Sequence, residues 1–175
     1  MNVVFQRLET PDSLEAVRTI AKDIWPKTFA SILSADQIAY MMKMMYAPDV
    51  MEKELAAGYI FELVVIDGVP GGYIVCSPCD EDPQHILKLH KAYLLQEYHS
   101  KGIGQLMLDR ALTLAAEGGF ECVHLNVNKQ NERAIRAYQR NGFTLLRAEK
   151  NPIGSGYYMD DYVFFKEARC LAGKN

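Results

Sequence analysis

One segment of the chain, residues 94–105, constrains the fold more than any other. An apolar strand-like run ends there in a short loop that carries Gly102 and Gly104, and an amphipathic helical pattern follows at once. Another strand-like run, residues 122–126, comes after that helix. A strand, a helix and a second strand in this order predict a crossover between parallel strands. The second half of the chain is therefore predicted to contain parallel pairing within a sheet.

Hydrophobic periodicity and turn residues predict the remaining elements. Strands are predicted at residues 3–8, 60–66, 73–76, 85–95, 122–126, 143–146 and 158–165. Helices are predicted from Pro11 to about Trp25 and Pro26, after a Ser34 cap, and at residues 49–57, 102–117 and 131–141. Asp67 and Gly68 predict a hairpin turn, and Gly71 with Gly72 a bulge. This order predicts an α+β fold, a mixed sheet flanked by helices.

Length and charge narrow the class of protein. The 175 residues fit a single domain, residues 1–175, and the net charge of -3 comes without any block of Lys and Arg that would follow a phosphate backbone. We therefore expect no nucleic-acid partner. The apolar runs are shorter than the ~20 residues that cross a bilayer, and the N-terminus has no apolar signal core. These features predict a cytoplasmic protein with no membrane partner.

Four cysteines are too few and too scattered for a disulfide framework. Cys76 and Cys79 have the spacing of a redox pair or of half a zinc site, but they end a strand-like run, and no second pair of ligands follows. We interpret them as structural thiols and expect no metal.

The loop at Gly102 and Gly104 has the geometry of an anion site. The first N–H groups of a helix lack intrahelical acceptors and lie at the positive end of its dipole, so they can bind a pyrophosphate. The two glycines would let the anion approach the backbone, and Lys101 could add a charge. A glycine-bearing turn without a ligand is an equally good interpretation of this loop taken alone.

A second pattern follows the strand at 122–126. Asn131, Ala134 and Tyr138 recur at helical spacing on one side of the next predicted helix, which Gly142 and Phe143 close. Taken alone, Asn131 is a good helix cap and Tyr138 an ordinary core aromatic.

Together, the two patterns resemble the GNAT superfamily of acyl-CoA-dependent N-acetyltransferases, over about residues 86–143. That family's pyrophosphate loop has a Gln or Arg, a Gly, and a Gly or Ala at the positions of His99, Gly102 and Gly104, so His99 departs from the usual residue. The family's following motif is matched at every marked position, Asn131, Ala134, Tyr138, Gly142 and Phe143. The resemblance implies a mostly antiparallel sheet of about seven strands, with a splayed pair that holds acetyl-CoA.

The resemblance also implies roles for individual residues. Tyr138 would protonate the coenzyme A sulfur, a backbone N–H near Leu94 would polarise the acetyl carbonyl, and Asn131 would contact the cofactor arm. The predicted contacts with acetyl-CoA are Tyr93, Leu94, Leu95, His99, Ser100, Lys101, Gly102, Ile103, Gly104, Gln105, Asn131, Ala134 and Tyr138.

The general base is less clearly marked. Family members place a Glu early in the fourth strand, where this chain has Lys88. His90 lies two residues later and should face the same side of a regular strand, so we predict it as the base. Asp160 and Asp161 are the alternatives.

The acceptor is predicted to be a small cationic amine, because the chain is acidic and its Gly156–Tyr162 stretch loosely resembles that of polyamine acetyltransferases. Trp25 and the helix with Met41, Met42, Met44 and Met45 fall where the family builds its acceptor wall, although most of these residues also suit a packed helix. A peptide or protein N-terminus as acceptor and a non-catalytic acyl-CoA sensor are the alternatives. A homodimer is possible, with Phe164 and Phe165 as apolar contacts.

Overall fold

The computed structural model describes residues 1–168 and contains every predicted element, several with shifted ends. The strands are β1 (Val3–Leu8), β2 (Ile60–Ile66), β3 (Val69–Cys79), β4 (Asp82–Leu94), β5 (Cys122–Asn128), β6 (Thr144–Gly154) and β7 (Tyr157–Glu167). The helices are α1 (Glu15–Phe29), α2 (Ala35–Tyr46), α3 (Pro48–Ala56), α4 (Ile103–Glu117) and α5 (Glu132–Arg140). Short 3-10 helices lie at Pro11–Leu14 and Gln96–Tyr98.

All seven strands belong to one sheet in the order β1-β2-β3-β4-β5-β7-β6. Antiparallel pairing joins β1 with β2, β2 with β3, β5 with β7 and β6 with β7, whereas β4 and β5 are parallel. The crossover through α4 is therefore the predicted one, because it connects the two parallel strands. The prediction of a mixed, mostly antiparallel α+β sheet is confirmed.

By its internal contacts the chain divides into two compact units. Unit 1 comprises Met1–Cys76 and Lys91–Met107 and contains the first three helices and the loop after β4. Its core is formed by side chains that are at most 2% exposed. They include Val17, Trp25, Met51, Phe61, Tyr73 and Ile103.

Unit 2 comprises Ser77–His90 and the chain from Leu108 onward. Its strands bury one apolar side chain at every second position, as a sheet face covered by helices does. Those buried side chains are Leu87, Leu89, Val123, Leu125, Val127 and Phe164. The Tyr138 ring of α5 packs on this face, with its centroid 6.4 Å from that of Phe164. The site residues of α5 are therefore held by a well-packed core.

The first helix does not end at Trp25 and Pro26 as predicted. It continues to Phe29, and the N–H of Ala30 donates to the Pro26 carbonyl at 3.1 Å. Proline removes only one hydrogen bond from the helix, and burial of Trp25 and Phe29 outweighs that loss. Tertiary packing thus overrides a local stop signal.

The strands β3 to β7 are all longer than predicted, most of all β3 and β6, and β6 was expected to cover only residues 143–146. Charged residues such as Arg147 and Glu149 interrupt the alternation of apolar and polar side chains that would indicate a strand. Pairing with β7 determines how far β6 extends. β3 and β4 likewise extend beyond their apolar cores.

Phe164 is 1% exposed and packs against Tyr138 within the chain, so the expectation that it contributes to a dimer contact is wrong. Phe165 is half-buried on the opposite face of β7. The homodimer itself stays a prediction.

The predicted bulge is present in β3, where Val64 pairs with Gly72 and Val65 with Pro70, so that Gly71 is the extra residue. Gly72 lies against the end of β4. A Cβ placed at Gly72 would lie 2.6 Å from the Tyr93 carbonyl oxygen, closer than real Cβ atoms come to backbone. Only glycine allows β3 to approach β4 this closely.

Substituting Gly72→Ala is expected to lower the free energy of unfolding by about 2 kcal/mol, because the added methyl meets a backbone atom that cannot move aside. Urea denaturation measures the effect. Gly104→Ala is the matched control, since a Cβ at Gly104 meets nothing within 4 Å. Equal unfolding midpoints for the two variants would contradict the steric explanation.

Candidate functional site

The loop between β4 and α4, which contains the first predicted motif, lies in unit 1. Ser100 and Gly102 have positive φ values of 61° and 80°, and the chain then turns directly into α4. The N–H groups of Gln105 and Leu106 both donate to the Gly102 carbonyl, at 3.1 and 3.3 Å. The amides of Ile103 and Gly104 precede these bonds and lie at the positive end of the helix. This is the predicted geometry of an anion site.

Neither packing nor backbone conformation requires a glycine at position 104. An added Cβ would meet nothing within 4 Å, and the residue has no positive φ value. Gly102 differs, because its φ of 80° favours glycine whatever the space around it. The open space at Gly104 leaves its amide accessible to a group that approaches the backbone closely.

His99 anchors the loop to the strand before it. One ring nitrogen, Nε2, lies 2.8 Å from the Leu94 carbonyl oxygen, to which it donates. The N–H of Leu95 donates to the Gly71 carbonyl at 2.8 Å. These two backbone groups of the predicted cofactor contacts therefore already have partners within the chain. His99 holds the loop in place, and its Nε2 is not directed at an anion.

Lys101 and Tyr93 flank the loop in different ways. The Lys101 ammonium lies 5.6 Å from the centroid of the Tyr98 ring and remains at the surface. Tyr93, near the end of β4, is half-buried against an aromatic cluster. Its ring centroid lies 5.7 Å from those of Trp25 and Tyr73. The cluster fixes the strand that leads into the loop.

Behind Tyr93, a chain of hydrogen bonds joins the buried Trp25, Tyr46 and Tyr73. The Trp25 indole donates to the Tyr46 hydroxyl at 3.0 Å, and the Tyr46 and Tyr73 hydroxyls lie 2.6 Å apart. Burial raises the pKa of the Tyr73 hydroxyl well above its usual value. These phenols stay neutral and serve as structural anchors.

The second predicted motif lies on α5 in unit 2. Asn131 caps the helix, and its Oδ1 accepts a hydrogen bond from the Ala134 N–H at 3.3 Å. Tyr138 follows one turn after Ala134. Its ring packs between Phe143 and Phe164, with centroids 6.0 and 6.4 Å away. The structural roles proposed for Asn131 and Tyr138 are thus both present.

The Tyr138 hydroxyl has no hydrogen-bond partner among residues 1–168. Burial raises the pKa of this phenol to about 12. A phenol that keeps its proton and has no internal acceptor is available to donate to a ligand.

The parallel ladder between β4 and β5 is short. It covers four residue pairs, from Ile86 opposite Cys122 to Leu89 opposite Leu125, although both strands run further. At this end of the ladder, the Lys88 ammonium donates a short hydrogen bond to Oδ1 of Asn126. A limited ladder is what a splayed pair of parallel strands shows.

Asn126 connects Lys88 to two carboxylates. Its Nδ2 donates to Glu149 Oε1 at 2.8 Å and, more weakly, to Asp161 Oδ2 at 3.4 Å. Glu149 also accepts a hydrogen bond from Arg147 Nε at 3.1 Å, and Arg147 pairs with Glu81 at 2.8 Å. Four strands thus contribute to one polar network.

The two carboxylates have different environments. Hydrogen bonds from Asn126, Arg147 and Asn151 overcome the opposing effect of burial and hold the pKa of Glu149 below its usual value. Asp161 is 7% exposed, and burial raises the pKa of its carboxyl despite the bond from Asn126. Glu149 is therefore a stabilised anion, whereas Asp161 binds a proton more readily.

The other candidate bases lie nearer the surface. His90 is exposed, and its Nε2 lies 2.7 Å from the Ser77 hydroxyl oxygen. The Asp160 carboxylate is 48% exposed and forms an ion pair with Lys129 at 2.6 Å. Asp160 is thus part of a surface ion pair, while its neighbour Asp161 points into the network.

Sequence reasoning missed Asn126, Glu149 and Arg147. The spacing of Arg147 and Glu149 is that of a strand with one polar face, but a strand covering only residues 143–146 leaves both outside. The network that connects them to Lys88 extends across several strands of the sheet, and no short-range sequence pattern predicts it.

The cysteines of residues 1–168 form no disulfide. Cys76 and Cys79 are buried and Cys122 is half-buried, whereas Cys170 lies outside the described residues. No group of three or more His, Cys, Asp or Glu side chains in residues 1–168 could hold a metal ion. In the same range, no helix combines the length and apolarity needed to cross a bilayer.

Comparisons with known proteins agree on one family. The sequence profile of the acetyltransferase (GNAT) family matches residues 14–143. An uncharacterised N-acetyltransferase of Mycobacterium tuberculosis is 35% identical over 81 residues, which are 46% of this chain and 51% of that protein. N-alpha-acetyltransferase 50 of Danio rerio is 25% identical over 130 residues, 74% of this chain and 76% of that protein. The chain thus spans about half the length of the mycobacterial relative.

Solved structures share the fold. The PaiA N-acetyltransferase of Thermoplasma acidophilum, solved in complex with coenzyme A, superposes with a TM-score of 0.77 at 23% identity. The superposition covers 95% of this chain and 99% of that protein.

The environment of Asp161 predicts its effect on stability. A carboxyl whose pKa is raised on folding binds its proton more tightly in the folded state, so it costs stability once the pH exceeds its pKa in the unfolded chain. Asp161→Asn should therefore raise the free energy of unfolding at pH 7, and raise it less at pH 4. Urea denaturation at both pH values checks this, and a variant less stable at pH 7 would contradict it.

Proposed function

The chain belongs to the GNAT family of acetyltransferases, and we propose that it transfers the acetyl group of acetyl-CoA to a primary amine of a small, cationic, polyamine-like acceptor. Two observations support this proposal: unit 1 has an accessible amide loop at the start of α4, and unit 2 has a Tyr138 phenol with no internal partner.

The loop fits the pyrophosphate of coenzyme A. The amides at Ile103 and Gly104 supply donors, the open space at Gly104 admits the phosphate oxygens, and the positive φ of Gly102 sets the turn. A nest of backbone amides needs no overall positive charge, so a protein with a net charge of -3 can bind this polyanion. Lys101 would add one cation at the surface.

Acetyl transfer requires proton movements at the acceptor nitrogen and at the thioester sulfur. The acceptor must lose a proton before its nitrogen attacks the thioester, and the departing thiolate gains one. Tyr138 suits the second step, because its phenol holds its proton over the whole physiological pH range. His90 or Asp161 takes the proton of the amine. A backbone N–H near Leu94 is proposed to stabilise the oxyanion.

A cationic acceptor fits the charges of unit 2. Glu81, Glu149 and Asp161 all lie on or next to the strands of the polar network, and Lys88 and Arg147 only partly neutralise them. Negative potential of this kind attracts an ammonium group from solution.

A peptide or protein N-terminus is the second candidate acceptor. Similarity to N-alpha-acetyltransferase 50 over 74% of the chain supports it. The two acceptors differ in charge and size, so the same assay separates them.

A coenzyme A release assay with linear polyamines, amino acids, aminoglycosides and peptides tests the proposal. Fastest turnover with polyamines is expected. Faster turnover with peptides would favour the second acceptor, and tight binding of acetyl-CoA without turnover of any amine would show a sensor and overturn the enzyme assignment.

Gly104→Glu should weaken acetyl-CoA binding about tenfold, or ~1.4 kcal/mol, because its carboxylate enters the open space beside the loop amides and repels the phosphates. The fold should not suffer, since glutamate favours a helix over glycine. Calorimetric titration measures the affinity, and urea denaturation measures the stability. Unchanged affinity would place the pyrophosphate elsewhere.

Tyr138→Phe should lower kcat about 100-fold, the contribution expected of a general acid, and leave the affinity for acetyl-CoA unchanged. Steady-state kinetics and calorimetry give the two values. An unchanged kcat would remove Tyr138 from the acid role.

A further inference from the structure

One face of the sheet in unit 2 carries polar side chains from four strands. Lys88 lies opposite His124 in the β4–β5 ladder, and Asn126 is two residues further along β5 on the same side. Across β5, β7 and β6, Asn128 lies opposite Asp161, and Asp161 opposite Glu149. Directly paired residues share a face. We call the set of Lys88, His124, Asn126, Arg147, Glu149 and Asp161 the polar face.

Tyr138 lies on the other side of these strands. It packs on Phe164, whose side chain points away from the face of Asp161 because the two are three residues apart in a regular strand. A group between the strands at the end of the ladder would thus meet Tyr138 on one side and the polar face on the other.

The polar face is located at that end of the ladder. Lys88 and Asn126 come directly before and after the last pair, Leu89 and Leu125, and the bond between them spans the point where pairing stops. The carboxylates that Asn126 contacts are therefore held beside the place where the two strands part.

Lys88 fixes the orientation of Asn126. An asparagine amide has one accepting and one donating end, and the ammonium can bind only the oxygen. With Oδ1 held by Lys88, Nδ2 must face Glu149 and Asp161, as observed. A carboxylate at position 88 would favour the reverse orientation, so the lysine and the two acids form one consistent arrangement.

The two carboxylates of the network accept different numbers of hydrogen bonds. Glu149 accepts hydrogen bonds from Asn126, Arg147 and Asn151, which occupy its oxygens. From the described part of the chain, Asp161 accepts only the long 3.4 Å bond from Asn126, although it is 7% exposed. Two acids whose surroundings differ in this way commonly divide into a fixed anion and a proton carrier.

We propose that Asp161 accepts the proton of the acceptor amine and that Lys88 and Asn126 act as positioning residues for it; this inference rests on the proposed function. The N–H bond of the ammonium breaks and its proton passes to the Asp161 carboxylate. The freed electron pair forms the C–N bond to the acetyl carbon, the C–S bond breaks, and the thiolate takes the phenolic proton of Tyr138. The acetylated nitrogen releases its second surplus proton, which returns through water to the Tyr138 phenolate, so that a neutral amide and a neutral phenol remain. Asp161 then returns its proton to water.

Asp161 is better suited to accept the proton of the amine than the histidines near it. His90 is exposed and already bound to Ser77, and burial and the nearby Arg147 and Lys88 lower the pKa of His124. The charged groups that act on Asp161 are Lys88 from β4, Glu149 from β6 and Asp160 from its own strand. Burial and the two neighbouring acids favour the protonated carboxyl, whereas the hydrogen bond from Asn126 and the charge of Lys88 oppose them.

The test compares Asp161→Asn with Asp160→Asn in the full chain. With acetyl-CoA and the amine that the wild-type protein acetylates fastest, Asp161→Asn should lower kcat/KM about 100-fold and leave the calorimetric affinity for acetyl-CoA unchanged. Asp160→Asn, which removes only the exposed pair with Lys129, should change kcat/KM less than about threefold.

The dependence on pH and a chemical rescue separate proton transfer from a structural role. The acidic limb of the wild-type kcat/KM profile should disappear in Asp161→Asn. Asp161→Ala should regain activity when sodium formate supplies a carboxylate, whereas sodium chloride at equal ionic strength should have no effect.

Each opposite result is informative. Loss of the acidic limb in His90→Gln but not in Asp161→Asn, or equal losses in Asp160→Asn and Asp161→Asn, would overturn the assignment of Asp161 while leaving the proposed function intact. Absence of coenzyme A release by the wild-type protein with every amine would overturn the proposed function, and this inference with it.

Discussion

The parallel pairing of β4 with β5 is the constraint on which the arrangement of the site depends. A hairpin cannot join parallel strands, so the chain must leave β4 through a turn, form α4 and return. The turn places the first amides of α4 directly after β4, with Gly102 at a φ of 80°. The crossover itself therefore requires the turn that exposes these amides. It does not require the open space at Gly104, which is an additional feature of this loop.

The shortness of the same ladder shapes the polar network of unit 2. The ladder ends at Leu89 and Leu125, and the polar side chains next to this point form hydrogen bonds with residues of β6 and β7. One side of these strands is an apolar surface that packs Tyr138, and the other carries the Asn126 network. The Tyr138 phenol and the Asp161 carboxylate are therefore held on opposite faces of the strands, with no direct contact between them.

Local patterns in the sequence were sufficient for most elements and for both motifs. The glycine loop, the Asn131 cap and the position of Tyr138 follow from residues a few positions apart, and β2 was predicted to the residue. The first helix was predicted too short because packing of Trp25 and Phe29 outweighs Pro26. β6 was predicted too short because an edge strand with charged residues lacks apolar alternation, and Phe164 was wrongly placed at a surface.

The sequence by itself determined the α+β class, the crossover, the family resemblance and the residues of the two motifs, because each depends on short-range spacing. Only the tertiary structure decided which polar residues meet. Lys88, Asn126, Glu149 and Asp161 come from four strands, and their contacts depend on a strand order in which β7 lies between β5 and β6. Burial likewise separates Asp161 from Asp160, since two adjacent strand residues point to opposite faces and only one enters the network.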